Sequence, residues 1–242
     1  MSEPAGDRAP IGQALQAVAR DVALSALLLL APAALLGARP WPAGLAFICA
    51  YGAAQLAANL ALAFRRPAHF QVRQQGVVAG KDRGQPRADA IGSVILVGFA
   101  VAWFAFIPLD VFRLHLLPAP AAWVAWIGAL MAALGVAVTT SAVWENRFAT
   151  PNVQDQTAQG QRVVDTGVYR LVRHPIYLGY ALLIGGEALW LRSTAAALIG
   201  AGVYLASTAW RITIEERDLR VRLPAYDAYA RRVRGRLIPF VL

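Results

Sequence analysis

Residues 167–180, GVYRLVRHPIYLGY, concentrate polar and aromatic side chains at the start of a long apolar segment. His174 precedes Pro175, and proline suits the first turn of a helix, so we expect the imidazole at a helix entrance. Tyr177 follows three residues later, on a neighbouring part of the helix surface. An imidazole and a phenol in this position can form hydrogen bonds, contact a ligand ring or assist proton transfer.

A second polar cluster follows about 40 residues later, in the sequence WRITIEERDLR at residues 210–220. A tight turn at residues 192–194 should send the intervening apolar segment back toward the histidine. Glu215 and Glu216 would then arrive beside the imidazole and the phenol, with Arg211 one helical turn before Glu215. The sequence therefore predicts a polar site at one mouth of a helical hairpin.

These residue types also have an ordinary interpretation. Tyrosine and arginine commonly anchor helix ends at a membrane surface, and an exposed Glu–Arg pair contributes little to stability. The combination favours a binding site, because polar groups buried near lipid are costly without a partner. A metal site is not expected, since the sequence lacks an HExxH-type helical pair. It also lacks a phosphate-binding GxxxxGK[ST] loop and a GxSxG nucleophile elbow.

The elements that must position these residues are membrane helices. The 242-residue chain is 58% hydrophobic and 15% charged, whereas a soluble domain carries about a quarter charged residues. The expected fold is an all-α, polytopic membrane helix bundle with about six transmembrane helices. The predicted spans are residues 22–38, 43–64, 90–109, 119–143, 175–192 and 194–214.

The basic residues predict the orientation of the chain. The N-terminal segment, the connections 65–89 and 144–174 and the segment from residue 211 hold 2, 6, 4 and 8 lysines and arginines, against 3 in the alternate connections. The positive-inside rule makes the rich side cytoplasmic, together with both termini. This asymmetry explains the net charge of +9 without nucleic acid. The arginine bias, with a single lysine, suggests a bacterial inner-membrane protein.

Three further features allow two interpretations each. Glu187, deep in the fifth predicted span, either pairs with Arg192 or Arg113 near the outer face or contacts a lipid-like ligand. The 65–89 connection is either a solvated basic loop or a gate over the site. Residues 224–242 alternate apolar side chains with arginines, as an interfacial segment does, and are alternatively a lid.

The stretch GVYRLVRHPIYLGY, the downstream EER and the tail LPAYDAYARRVRGRLIP together resemble the isoprenylcysteine carboxyl methyltransferase family. The broader group includes membrane phospholipid methyltransferases. The resemblance runs from near Trp144 to the end, which divides the chain into N-terminal transmembrane helices with a basic loop (1–143) and a methyltransferase region (144–242). It implies an S-adenosylmethionine-dependent methyltransferase, with S-adenosylhomocysteine as product. The cofactor pocket would lie at the cytoplasmic end of the C-terminal hairpin.

The resemblance also implies roles for individual residues. Glu215 would hold the cofactor and Arg211 would face the acceptor. Arg211 is therefore a candidate catalytic residue, and His174 and Glu216 are further candidates because an amine or thiol acceptor would need a base. The other implied cofactor contacts are Gln154, Gln161, Arg162, Val163, Val164, Tyr169, His174, Pro175, Ile176 and Tyr177.

The expected acceptor is lipophilic, a small molecule or a lipidated chain, and the carboxylate of an isoprenylcysteine-like substrate is favoured. A carboxylate is already ionised at neutral pH, so an arginine can orient it and no base is needed. A phospholipid amine, a small thiol and a non-enzymatic membrane protein of the same fold remain alternatives. Membrane lipids are expected partners, nucleic acid is not, and the oligomeric state is left open.

Overall fold

The computed structural model describes residues 8–38, 40–71, 87–149 and 156–239. The described chain is helical and contains no β-strand, which confirms the expected all-α class. Short π-helical and 3₁₀ turns occupy Asp110–Leu114, Thr157–Gln159 and Gly167–Arg170. The principal helices are α1 (Arg8–Leu35), α2 (Pro42–Arg65), α3 (Arg87–Leu109), α4 (Ala122–Glu145), α5 (Pro175–Trp190), α6 (Thr194–Arg222) and α7 (Tyr226–Arg232).

Five of the described helical segments are long and apolar enough to cross a membrane: Ile11–Leu35, Pro42–Arg65, Val97–Leu114, Ala122–Glu145 and Thr194–Arg222. The polytopic bundle is therefore confirmed. Helix α5 has 16 residues, or about 24 Å at 1.5 Å per residue. That is shorter than the hydrocarbon thickness of about 30 Å, so the sixth span and the sidedness derived from it stay predictions.

Helix α1 begins well before the predicted start at residue 22, so that boundary was wrong. The polar residues Arg20 and Asp21 do not end the helix, because they form an ion pair, 3.1 Å apart, on its exposed side. Ala14 and Val18, four residues apart, face the bundle and are buried. The helix also continues through Pro32. A proline is tolerated inside a membrane helix because neighbouring helices can satisfy the backbone groups that it leaves unbonded.

Helix α6 extends eight residues beyond the predicted end at residue 214. Ser193 caps its start by accepting a hydrogen bond from the Ala196 N–H at 3.0 Å. No helix breaker follows until Pro224, and Leu223 before it has extended geometry. The extension places Arg211, Glu215 and Glu216 on one continuous helix, which fixes their relative positions.

Helices α4 and α5 approach each other closely through glycines. A Cβ atom on Gly135 would lie 2.5 Å from the Gly179 carbonyl oxygen, and one on Gly186 would lie 2.5 Å from the Ala132 nitrogen. Such distances leave no room for a side chain, as in membrane-helix interfaces built on small residues. This contact fixes the position of α5 and of His174 at its N-terminus.

Helix α3 and the π-helical turn after it are joined to the α5–α6 hairpin by two polar contacts. The Trp103 indole Nε1 donates a hydrogen bond to the Ala196 carbonyl at 2.8 Å. Ser193 Oγ donates to the buried Asp110 carboxylate at 2.5 Å. Because both contacts are to residues at the start of α6, they set the distance between α3 and the hairpin.

Candidate active site

A cavity of about 450 Å³ extends from the N-terminal end of α5 into the bundle between α3, α5 and α6. Its volume lies in the range of small-molecule pockets, about 300–1,000 Å³. We call its polar end, where Tyr177, Arg211 and Glu215 meet the connection between α4 and α5, the mouth. We call the apolar side formed by α3 the wall; it carries Phe99, Ala100, Trp103 and Phe104.

The mouth contains the predicted contact between the hairpin helices. The Tyr177 hydroxyl donates a hydrogen bond to Glu215 Oε2 at 2.9 Å. His174 Nδ1 lies 3.8 Å from the same oxygen. The His174 and Tyr177 rings stack with centroids 5.7 Å apart. A carboxylate, a phenol and an imidazole therefore share one end of the cavity.

Glu216 lies behind His174 rather than on the cavity surface. Its side chain is 2% exposed, and its Oε1 accepts a hydrogen bond from Arg173 Nε at 2.8 Å and lies 3.2 Å from His174 Nε2. Since an ionised carboxylate can only accept, Nε2 carries the proton and Nδ1 faces Glu215. The catalytic role expected for Glu216 stays a prediction, and this geometry supports a positioning role instead.

The C-terminal tail is bound to the start of α5, beside the mouth. The backbone N–H groups of Arg173 and His174 donate to the carbonyls of Gly235 and Arg236, both at 2.9 Å. The Arg173 guanidinium also donates to the Val233 carbonyl at 2.7 Å. These bonds hold the tail against the start of α5, an arrangement that is compatible with the lid interpretation.

Three buried tyrosines line the mouth outside the membrane-spanning segments: Tyr169, Tyr226 and Tyr229. Burial raises the pKa of each hydroxyl well above its usual value. Tyr229 donates to the Tyr169 carbonyl at 2.9 Å. Since the three phenols stay neutral, they offer apolar faces and hydrogen bonds but no base.

The connection between α4 and α5 supplies the other side of the mouth. Gln156 donates through its amide nitrogen to the Phe148 carbonyl at 2.9 Å. Its backbone N–H donates to Gln161 Oε1 at 3.2 Å. These bonds fold the connection so that residues 161–164 lie on the cavity surface.

Most residues predicted for the site line one cavity. Gln154 lies outside the described residues, and Glu216 is in the layer behind. The predicted residues that the structure brings together are Gln161, Arg162, Val163, Val164, Tyr169, His174, Pro175, Ile176, Tyr177, Arg211 and Glu215. Their proposed roles remain predictions.

The wall on α3 was not predicted from the sequence. Phe99 and Trp103 lie four residues apart, a spacing that puts them on one side of a helix, and Phe104 directly follows Trp103. That aromatic pattern was the available signal, but it is equally typical of bundle packing. Tyr204 and Ile184 complete the cavity opposite α3.

Glu187 matches neither interpretation offered for it. Within the described residues it forms no ion pair with Arg113 or Arg192, and its Oε1 has no hydrogen-bond partner. It is 2% exposed and does not line the cavity. The turn at Leu191–Ser193 directs Arg192 into a left-handed conformation with φ 69° and leaves it exposed, away from the buried carboxyl.

In the part of the chain that the structure describes, no group of three His, Cys, Asp or Glu side chains is placed to hold a metal ion. The connection 65–89 lies largely outside the described residues, so its proposed gating role stays a prediction. His69, at its beginning, contacts the Val143 carbonyl through Nδ1 at 3.1 Å. That contact ties this end of the connection to α4.

Residues 123–222 match the family model described as Phospholipid methyltransferase. The match covers α4, α5 and α6 and includes His174, Tyr177, Arg211 and Glu215. It begins before the start near Trp144 expected from the resemblance and ends before the tail. No curated protein matches the chain significantly. The resemblance is confirmed for this segment, and the match supports an integral-membrane methyltransferase.

Proposed function

We propose that the protein transfers a methyl group from S-adenosylmethionine to a lipophilic acceptor, and that the acceptor group is a carboxylate like that of an isoprenylcysteine. One observation carries the proposal: a single cavity joins the polar mouth to the apolar wall. A polar cofactor and an apolar acceptor can therefore meet in it. The match to a phospholipid methyltransferase model supports the reaction class.

The residues of the mouth fit this cofactor. Glu215 Oε2 is bound to Tyr177, which leaves Oε1 of the 28% exposed carboxylate for a ligand. A carboxylate can accept from ribose hydroxyls and offset the positive charge of the cofactor. Tyrosine rings offer faces for adenine or for a cation. When bound, the cofactor would supply an electrophilic methyl group.

In this proposal Arg211 orients the acceptor carboxylate. It lines the cavity one turn along α6 from Glu215, toward the apolar part. A guanidinium holds a carboxylate through a pair of parallel hydrogen bonds. Methyl transfer is an in-line displacement, and positioning can contribute about 7–11 kcal/mol in favourable cases. Because the carboxylate is already ionised, no proton needs to move.

The wall supports a lipophilic acceptor. Phe99, Ala100 and Phe104 are partly exposed on α3, and Ile184 faces them from α5. An apolar chain that covers these side chains removes apolar area from water or lipid contact. The chain would run along α3 while its polar end reaches Arg211.

A phospholipid amine is the second candidate, favoured by the family whose model matches. An amine acceptor must lose a proton. His174 Nδ1 faces the mouth and is unprotonated in the neutral ring, so it can accept that proton. Glu216, bound to Nε2, would then stabilise the imidazolium. A small thiol would use the same route.

The first experiment measures calorimetric binding of S-adenosylhomocysteine to the detergent-purified full chain. If wild type binds S-adenosylhomocysteine and Glu215→Ala does not, the result supports the cofactor site. Labelled S-adenosylmethionine is then offered with a prenylated cysteine carboxylate, a phospholipid amine and a small thiol. Methylation of the carboxylate is the expected result, and methylation of the amine alone would overturn the acceptor. If the folded protein does not bind the cofactor, the methyltransferase proposal is refuted.

A further inference from the structure

A second cavity of about 360 Å³ lies where the end of α6, helix α7 and the tail meet. We call it the arginine cavity. Its charged lining residues are Arg173, Arg220, Asp227, Arg231, Arg234 and Arg236. It is separated from the first cavity by the buried Glu216, and only Arg173 lines both.

Two carboxylates partly balance these arginines. Glu216 Oε2 lies 3.6 Å from Arg220 Nη2 and 3.4 Å from Arg236 Nη2, while its other oxygen binds Arg173. Asp227 lies 3.1 Å from Arg220 Nε. Three of the five guanidinium groups thus share two negative charges.

The other two arginines have no such partner. Arg231 and Arg234 are exposed and form no ion pair with a carboxylate in the described parts of the chain. Five positive charges against two around one concave surface repel each other unless an anion is present. The arrangement therefore leaves a place for a doubly or singly charged anion.

The geometry of the guanidinium group favours phosphate. Its fork of N–H donors matches the oxygens of phosphate and binds them in pairs. Several forks around one concave surface can contact one phosphate from different sides. A lone chloride or acetate would satisfy fewer of these donors.

Neighbouring apolar residues indicate that the phosphate belongs to a lipid. Val221, beside Arg220, is 86% exposed, and Ile238, near Arg236, is 58% exposed. Large exposed apolar side chains between arginines are typical of a segment that lies in a membrane interface. A soluble phosphate would give no reason for these two residues to be exposed here.

We propose that the arginine cavity binds the phosphate of an anionic lipid headgroup and that the bound lipid holds the tail over the first cavity. The link between the two cavities is Arg173, which donates to the tail carbonyls of Val233 and Arg234 at 2.7 and 2.8 Å. The lipid site itself does not depend on the proposed function. Its effect on the cofactor does rest on that function.

The test uses the full chain in phosphatidylcholine vesicles, with and without phosphatidylglycerol, and reads thermal stability. The cavity variant is Arg231→Gln/Arg234→Gln, since neither side chain has an ion pair to lose. The matched control is Arg170→Gln/Arg217→Gln, which removes the same charge from exposed arginines outside the cavity. We expect phosphatidylglycerol to raise the Tm of wild type and control, and the cavity variant to lose most of that rise.

If phosphatidylglycerol raises the Tm of the cavity variant as much as that of wild type, the proposed site is wrong. The site is also wrong if the cavity variant and the control lose the same part of the Tm rise, because equal losses indicate general charge attraction. Inorganic phosphate is added to phosphatidylcholine vesicles as a third arm. If it reproduces the rise, the ligand is a soluble phosphate and the lipid assignment is overturned. S-adenosylhomocysteine affinity is measured alongside. If the lipid raises the Tm but does not tighten S-adenosylhomocysteine binding, the proposed effect on the tail is wrong. If S-adenosylhomocysteine does not bind under any condition, only the proposed function is refuted.

Discussion

The mouth and the wall of the first cavity are held in place by different forces. At the mouth, Glu215, Tyr177 and His174 are held by polar contacts of 2.9–3.8 Å with each other and with Glu216 behind them. On the wall, Phe99 and Phe104 are held by packing against a hydrophobic cluster. Directional bonds fix residue identity, whereas packing tolerates other side chains of similar volume.

This difference assigns separate tasks to the two regions. A polar cofactor needs fixed donors and acceptors, which the mouth supplies. An apolar acceptor chain needs shape and area, which the wall supplies. Substitutions at the mouth should therefore weaken cofactor binding, and substitutions on the wall should weaken acceptor binding without changing cofactor affinity.

The largest effect is expected for Glu216→Ala, which leaves Arg173 buried without its carboxylate. Removing one member of a buried ion pair costs about 3–5 kcal/mol. Thermal unfolding in detergent would show a large decrease in Tm. Glu215→Ala is the control, because its side chain is more exposed and binds one phenol. Similar Tm values for both variants would contradict the assignment of Glu216 to the supporting layer.

Glu215→Gln should weaken S-adenosylhomocysteine binding by about 10- to 100-fold. The estimate follows from about 1.5–3 kcal/mol for a hydrogen bond to a charged group. Calorimetry measures the affinity, and an unchanged Tm shows that the fold is retained. Unchanged affinity would mean that the cofactor does not contact Glu215. The assignment of cofactor binding to the mouth and of acceptor binding to the wall would then be wrong.

Phe104→Ala tests the wall. Loss of part of a phenyl contact should cost about 1–2 kcal/mol of acceptor binding, or roughly a 5- to 30-fold higher KM. Cofactor affinity should not change. Phe106→Ala is the matched control, since it removes the same volume from α3 outside the cavity. Equal KM changes in both variants would mean that the effect comes from α3 packing.

The smallest effect is expected for Tyr177→Phe, which keeps the ring and removes one hydrogen bond to Glu215. The lost bond orients Glu215 rather than the cofactor itself, so only part of the about 1.5–3 kcal/mol of a hydrogen bond to a charged group should be lost, and cofactor affinity should fall roughly 2- to 10-fold. Calorimetry against wild type measures it. Complete loss of binding would mean that the phenol contacts the cofactor directly.

The mouth could be predicted because its signals are local. Pro175 marks a helix start, the turn before Thr194 reverses the chain, and Glu215 follows at a distance that returns it to His174. These features depend on a few residues and on helix geometry. The family resemblance then added roles for the same positions.

Other features depend on long-range packing and were missed. The early start of α1 requires that Arg20 and Asp21 share an exposed side, which depends on its neighbours. Glu215 and Glu216 are adjacent, yet only the helix rotation decides which one faces the cavity. The glycine contacts of α4 and α5 involve residues spaced seven apart, such as Gly179 and Gly186, and only the fold shows that they meet.

The glycine contact also determines how the acceptor range of this protein can be altered by engineering. Because Gly135 and Gly179 leave no room for added atoms, α5 cannot shift to admit a bulkier ligand. Helix α3 has no comparable backbone contact at Gly98, where an added Cβ would meet nothing within 4 Å. Libraries that seek new acceptors should therefore vary α3 and leave the α4–α5 pair unchanged.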